Sequence, residues 1–342
     1  MAAKPLTIAE KRHTLFVYRE NGNNGAAAAR ELDIPRSTLQ HRLESLKVEG
    51  FTDDGSVDVL HPPAEIDIDE LVSRRKTQYG RKDAHEVGVS KITSKVRLPG
   101  PVGILFFGDP HVDDDGCDIE LLEEHCRLTK ETEGLWGANI GDTTNNWVGR
   151  LAGLYAEQST SAKEAVALAE WFIGSADWLF IISGNHDAWA GANDPIRWMA
   201  RQSNTLRQTA AVRMELVFPK GEPLVINARH NFKGHSMWNE AHGVGKAAML
   251  GPEDEIFVNG HTHVSGYCLK KRPSGIVSHC IQLASYKVHD RYAKELGLPD
   301  ARVSSAVLTI IKPEADRLTD RVQVFHDVQA GVDYLNFLRK DL

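Results

Sequence analysis

The stretch Trp178-Leu179-Phe180-Ile181-Ile182-Ser183-Gly184-Asn185-His186-Asp187 decides how the chain is read. An apolar run that ends at Ser and Gly predicts a buried strand running into a loop. Open α/β sheets keep their reactive groups just beyond the carboxyl ends of their strands. An amide, an imidazole and a carboxylate therefore stand where a sheet does its chemistry. Any loop can hold such a trio by chance, so the weight comes from other stretches of the same kind.

Four more lie on either side. Residues 102–107 predict a strand followed by Gly108-Asp109-Pro110-His111. Residues 135–140 predict a strand followed by Gly141-Asp142-Thr143-Thr144-Asn145-Asn146. Residues 224–228 lead to Arg229-His230, and residues 256–258 lead into Gly260-His261-Thr262-His263. Amphipathic helices are expected between them, at about 118–132 with Leu121, Leu122 and Cys126 inward, and at 161–175, 195–203 and 239–250. Later strands are expected at 276–283, 306–311 and 322–325. The alternation predicts an α/β fold, a β-sandwich of two packed layers flanked by helices, over residues 98–342.

Composition bounds the rest. The chain has 342 residues, 42% hydrophobic and 25% charged, as in an ordinary globular protein. No apolar run approaches the roughly 20 residues of a membrane helix, so no membrane partner is expected. Met1-Ala2-Ala3-Lys4-Pro5 leads into no apolar segment, so no signal peptide is expected. Cys117, Cys126, Cys268 and Cys280 form no CxxC pair. That argues against structural zinc or a disulfide scaffold and fits a reducing cytoplasm. A net charge of −7 means that any nucleic-acid surface must be local.

Residues 1–50 read as a separate helical unit. Thr7 can cap a helix to about Glu20, with Leu15 and Phe16 inward, and Asn21-Gly22-Asn23-Asn24-Gly25 stops it. A second helix is expected at 26–32. Asp33-Ile34-Pro35 turns into a third, at 36–47, with Leu39, Leu43 and Leu46 on one face. Arg36, Ser37, Thr38, Gln40, His41 and Arg42 then point away from that core. Ala28-Ala29-Arg30-Glu31-Leu32-Asp33-Ile34-Pro35-Arg36-Ser37-Thr38-Leu39 resembles a helix-turn-helix of bacterial regulators. A polar, partly basic recognition helix suits phosphates and base edges, so DNA is the expected partner. The competing reading is a three-helix module for protein interaction or assembly, which leaves a homo-oligomer open. Residues 51–97 read as a linker that contains a helix at about 65–85. Arg74, Arg75, Lys76, Arg81 and Lys82 on it either follow a phosphate backbone or form a solvated face.

The polar groups that follow the strands are Asp109, His111, Asp142, Asn185, His186, His230, His261 and His263. With His186 set aside, two carboxylates, an amide oxygen and four imidazoles remain. Such a mixed N/O set suits two divalent transition metals, manganese, iron or zinc, better than magnesium or calcium. His235 competes with His230 as the lone-histidine ligand. His125, His242, His279, His289 and His326 read as surface or satisfied core residues. Tyr286-Lys287-Val288-His289-Asp290-Arg291-Tyr292 either touches substrate or forms a structural turn.

Asp-x-His, Gly-Asp-x-x-Asn, Gly-Asn-His-Asp, a lone His and Gly-His-x-His follow in that order. The ordered set resembles the calcineurin-like metallophosphoesterase superfamily over roughly residues 98–285. The resemblance implies a two-metal phosphoester hydrolase, with manganese the first choice of metal. It implies that Asp109, His111 and His263 hold one metal, that Asn185, His230 and His261 hold the other, and that Asp142 bridges them. His186 would protonate the leaving oxygen or stabilise the transition state, Asn145 would orient His186, and Asp187 would orient the loop. The Asp-Arg-Gly signature of Ser/Thr protein phosphatases is absent: residues 145–147 are Asn-Asn-Trp. With the helix-turn-helix, the chain also resembles phage-encoded members of the nuclease branch. Three functions follow: a DNA phosphodiesterase, an enzyme on a small nucleotide or other phosphoester, and a non-enzymatic DNA-binding protein.

Overall fold

The computed structural model describes residues 5–51, 66–188, 191, 194–234, 236, 238–289 and 304–342. His235, residues 52–65 of the expected linker and residues 290–292 lie outside them. Two compact units divide the chain, Met1–Arg75 and Lys76–Leu342. Among the described residues no helix is long and apolar enough to cross a membrane.

The first unit is built on α1 (Ile8–Glu20), α2 (Gly25–Glu31) and α3 (Arg36–Val48). Thr7 and Glu10 close a reciprocal capping box at the start of α1. Asn24 caps α2 by accepting from the amides of Ala26 and Ala27. Val17, Ala28, Ala29 and Leu39 form the small core, with Leu43 packed against it. The inward face of α1 differs from the expected one. Thr14 and Val17 are buried, while Phe16 is 58% exposed. Two alanine-rich turns of α2 leave little depth, so short side chains occupy the face and the aromatic ring turns out. On α3, Arg36, Ser37, Gln40 and His41 are exposed, and Thr38 and Arg42 are half-buried.

Helix α4 (Ile68–Val89) buries none of its residues. The two sheets follow. One has the order β12-β11-β2-β3-β4-β5 and the other β1-β6-β7-β8-β10-β9. In the first, β2 (Val102–Phe107), β3 (Leu135–Asn139), β4 (Trp178–Ser183) and β5 (Leu206–Thr209) run parallel. β11 (Ala306–Ile311) and β12 (Val322–Phe325) complete it antiparallel. In the second, β7 (Leu224–Arg229), β8 (Ile256–Asn259) and β10 (Val277–Gln282) are parallel neighbours. β9 (Gly266–Lys271) borders β10, and β6 (Ala211–Val217) with β1 (Ile92–Lys95) completes the other side. The sheet thus recruits β1 from ahead of residue 98, where the large domain was expected to begin.

Alternation along the strands separates two cores. Ile104 and Phe106 meet Ala138, Phe180, Ile226 and Val258 between the sheets. Leu105 and Phe107 point the other way, into a core shared with α5 (Ile119–Glu131), α6 (Ala162–Ser175), α8 (Pro195–Gln202) and α10 (Val328–Arg339). The outer face of the second sheet is covered by α9 (His242–Leu250), through Val244 and Ala248 on Phe257 and Cys280. A strand covered on both faces has no polar side, so β2 is buried at all six positions.

Candidate metal centre

The parallel strands end at one edge, and the loops that follow them carry the site. β2 delivers Asp109 and His111, β3 delivers Asp142, β7 delivers His230 and β8 delivers His261 and His263. Behind β4, Gly-Asn-His-Asp forms a single helical turn, α7 (Asn185–Ala188). The loops are tied to each other by main chain. His111 N donates to Asp142 O at 3.0 Å and Val112 N to Thr143 O at 2.9 Å. Gly184 must be glycine, because a Cβ there would lie 2.1 Å from Asp142 Oδ1. Gly260 is constrained likewise, 2.6 Å from Asp109 Oδ1. His111, Asp142, His261 and His263 all have positive φ, between 43° and 72°. Left-handed backbone at non-glycine residues costs roughly 1–3 kcal/mol each and gathers where function over-determines it.

Side chains converge in two groups. His230 Nε2 lies 2.9 Å from Asn185 Oδ1, 3.1 Å from His261 Nδ1 and 3.2 Å from Asp142 Oδ2. His263 Nε2 lies 3.3 Å from His111 Nε2 and 3.5 Å from Asp109 Oδ2. Donor atoms about 2.1 Å from a common ion stand roughly 3.0–3.4 Å apart, for angles between square and tetrahedral. These spacings fit that requirement. Asp142, His230 and His261 satisfy it most compactly, their donor atoms all within 4.8 Å of one another. Buried Asp109 Oδ1 and His111 Nδ1 have no hydrogen-bond partner among the described residues.

Charge points the same way. Burial, reinforced by the charge of Asp142 and opposed by His230, pushes the Asp109 carboxyl up to about 7. Burial also works against ionised Asp142, yet His230 and the neighbouring imidazoles hold it well below the usual carboxylate range. His230 is raised to about 9: burial opposes its charge, and Asp142 and Asp109 outweigh that. Burial, then His263 and His186, keeps the His111 imidazole neutral far below its ordinary value. The two buried carboxylates thus draw positive charge onto His230, which stands against both. Divalent cations among neutral imidazoles would meet the same demand.

His186 stands beside these groups. Its Nε2 is 3.9 Å from Asp142 Oδ2, and its main-chain N donates to Asp142 Oδ1 at 2.9 Å. Asn145 holds the ring in a way the sequence did not suggest. His186 Nδ1 meets the Asn145 main-chain carbonyl, while the Asn145 side chain turns away to Asp114 Oδ2 at 2.8 Å and Gln158 Oε1 at 3.1 Å. Asp187 accepts from Gly184 N at 2.9 Å and Thr143 N at 3.1 Å, so its oxygens serve the loops. Burial, with the charge of Asp142 behind it, raises its carboxyl to about 8.

Three supporting residues come from the end of β10: Gln282 and Ser285 escaped sequence reasoning, while Lys287 stood in the stretch expected either to touch substrate or to form a structural turn. Gln282 Nε2 donates to Gly260 O at 2.7 Å, Ser285 Oγ donates to Asp109 O at 2.7 Å, and Lys287 pairs with Asp114. The only signal for Gln282 and Ser285 was position at the end of an apolar run, which is weak without a metal-ligating residue type. His125 and His279 are buried in the core, each against a tyrosine hydroxyl. The six polar residues of α3 belong to the first unit.

No family model matches the chain, and no curated protein sequence matches it. Among solved structures the chain is similar to the NAD nucleotidase of Haemophilus influenzae, with TM-score 0.36 and 10% identity, over 66% of this chain and 49% of that one. It therefore spans about half the length of that protein. It is also similar to the calcineurin-like phosphoesterase YfkN of Bacillus subtilis, with TM-score 0.35 and 10% identity, over 70% and 100% of the two chains. The nuclease MPE of Pseudomonas putida gives TM-score 0.31 and 14% identity over 65% and 87%. Likeness this low assigns no residue a role. By the order of its motifs, and by the single site into which its strand ends gather them, the chain resembles the calcineurin-like metallophosphoesterases.

Proposed function

We propose that the chain is a metal-dependent phosphoester hydrolase of the calcineurin-like type, acting as a phosphodiesterase on DNA. The observation that carries this reading is the spacing of donor atoms around His230 and His263, with His186 Nε2 aimed at the same place. Asp109, His111 and His263 would hold one ion, and Asn185, His230 and His261 a second, with Asp142 between. Mixed imidazole and oxygen donors favour manganese, with iron or zinc next. Such ions, when bound, activate water and neutralise phosphoryl oxygens. This chain's own contribution is orientation and a proton. The Asn145 carbonyl keeps hydrogen on His186 Nδ1, so Nε2 is the nitrogen that faces the leaving oxygen, and a ring that carries hydrogen on both nitrogens can protonate it from there. Asp187 and the glycines at 184 and 260 keep the loops close.

DNA as substrate is supported by the exposed polar row on α3, Arg36, Ser37, Gln40 and His41, in a helix-turn-helix arrangement. A second reading, a small nucleotide as substrate, is favoured by charge. Residues 1–50 carry eight Lys or Arg against six Asp or Glu, a net +2, so the rest of the −7 chain carries −9. One assay separates these readings: manganese-loaded protein on duplex DNA, single-stranded DNA, cyclic nucleotides and an aryl phosphodiester. Hydrolysis of DNA and the aryl diester is expected, with activity lost in chelator and recovered best with manganese. Cyclic nucleotides as the sole good substrates would favour the second reading. Full activity with metals shown to be gone would end both.

A further inference from the structure

Lys287 is a buried ammonium, 7% exposed, that the chemistry above leaves unused. It lies just beyond the carboxyl end of β10, and its main chain is bridged to Cys117. Asp118 N donates to Tyr286 O at 2.9 Å, and Val288 N donates to Gly116 O at 3.0 Å. The two segments run so close at Gly116 that a Cβ there would lie 2.0 Å from His289 O. The lysine is therefore delivered from a fixed base. Its Nζ stands 2.9 Å from Asp114 Oδ2 and 5.2 Å from the centre of the Trp147 ring.

These two contacts lead to His186. Asp114 Oδ2 also accepts from Asn145 Nδ2 at 2.8 Å, while its Oδ1 accepts from Gly116 N at 2.9 Å. Asn145 N donates to Asp113 Oδ1 at 2.7 Å, and the carbonyl of the same residue takes His186 Nδ1. On the second path, the Trp147 and His186 rings meet edge to face, 5.3 Å between centroids. Trp147 Nε1 donates at 2.9 Å to Gln158 Oε1, the oxygen that also accepts from Asn145 Nδ2. A carbonyl oxygen only accepts, so the hydrogen must sit on Nδ1, and Nε2 is left to face Asp142.

We propose that Lys287, acting through Asp114 and Trp147, is a positioning residue for His186, fixing both the tautomer of its ring and the aim of Nε2. The proposal rests on the hydrolase reading of the same site: the aim matters because the ring, carrying hydrogen on both nitrogens, gives the Nε2 proton to the leaving oxygen as the P–O bond breaks and keeps the one on Nδ1.

Leaving groups expose this role. Manganese-loaded protein is assayed on bis-p-nitrophenyl phosphate, whose phenolate leaves unaided, and on dithymidine phosphate, whose sugar hydroxyl needs the proton. Lys287→Met should slow the dinucleotide by about 10–100-fold while slowing the aryl ester much less. His186→Ala should show the same bias, the double variant should be no slower than His186→Ala, and Lys287→Arg should recover most of the loss. Equal losses on both substrates, or additive losses in the double variant, overturn the proposal. If Lys287→Met does not fold, Asp114→Asn with Lys287→Met removes both charges and is held to the same outcomes. Imidazole ¹⁵N spectra of metal-free protein give a readout apart from turnover. At a pH where the ring is neutral, His186 should carry its one proton on Nδ1 in the parent and lose that preference in Lys287→Met; an unchanged tautomer also overturns the proposal. If the parent hydrolyses neither ester, the DNA phosphodiesterase reading fails and the spectra alone decide the positioning role.

Discussion

Asp142 and His186 share a bond and do different work. Asp142 Oδ2 lies against His230, inside the donor cluster, whereas His186 touches Asp142 from outside it. Asp142→Asn is expected to lower metal occupancy and rate together. His186→Ala is expected to leave occupancy near normal and to cost about 10²–10⁴-fold in rate. Metal analysis beside turnover checks this, and equal metal loss in both would reassign His186. Away from the site, His125 and His279 carry a pH prediction. Burial lowers both to about 4. In the unfolded chain each binds a proton near its ordinary value of 6.5, so below that pH the unfolded state holds more protons than the folded one. Stability should be flat with respect to these groups above about 6.5 and fall between there and about 4, by up to about 1.4 kcal/mol per pH unit for each. Urea melts at pH 7 and pH 5 test it, and His125→Gln should shrink the difference.

Helix α3 is the element on which the DNA reading depends. Leu39 is 1% exposed and anchors it against Val17, Ala28 and Ala29. A unit this small has few other apolar contacts to spare. Leu39→Ala, at about 2–5 kcal/mol, should therefore unfold residues 8–48 without touching the two sheets. The expected signature is loss of helical signal and of duplex binding, with turnover of an aryl diester retained. Duplex binding that survives while the helices are shown to be melted would remove α3 from DNA recognition. Arg36→Ala with Arg42→Ala tests the same helix more gently, as both leave its core intact.

At the scale of the whole molecule, charge is unevenly shared. A remainder of −9 repels DNA at long range, and the +2 helical unit, with exposed Arg74, Arg75, Lys76, Arg81 and Lys82 on α4, would offset that. A truncation testing this must keep β1, because Ile92–Lys95 pairs with β6. A chain starting at Lys91 should bind duplex DNA more weakly and with a flatter salt dependence, each lost phosphate contact removing about 0.9 from the log–log slope. Its turnover of a small diester should persist, since every proposed ligand lies beyond residue 91. Truncated protein that binds and cuts duplex DNA like the full chain would favour the small-substrate reading.

Much of this molecule is written in local pattern. The strand that ends at Ser183, the helix cap at Thr7 and the polar residues behind each apolar run are legible because periodicity and capping act over a few residues. The polar residues that gather at the strand ends were legible for the same reason, as each follows an apolar run and belongs to one of the few residue types that bind metals. Other features depend on contacts between distant parts of the chain. β1 and β9, the two edge strands of the second sheet, carry weak patterns and become strands through their neighbours, because a neighbouring strand supplies bonds that a sequence does not display; β6 by contrast shows a plain alternation, with Val212, Met214 and Leu216 inward. Nothing in the sequence distinguishes the main-chain carbonyl of Asn145 from its side-chain amide as the partner of His186. That choice was made by Asp114 and Gln158, which claimed the amide first. Lys287 joined the site only because β10 lies parallel to β8 and ends at the same edge. A buried charge takes its role from what surrounds it, and those surroundings come from residues more than a hundred positions away.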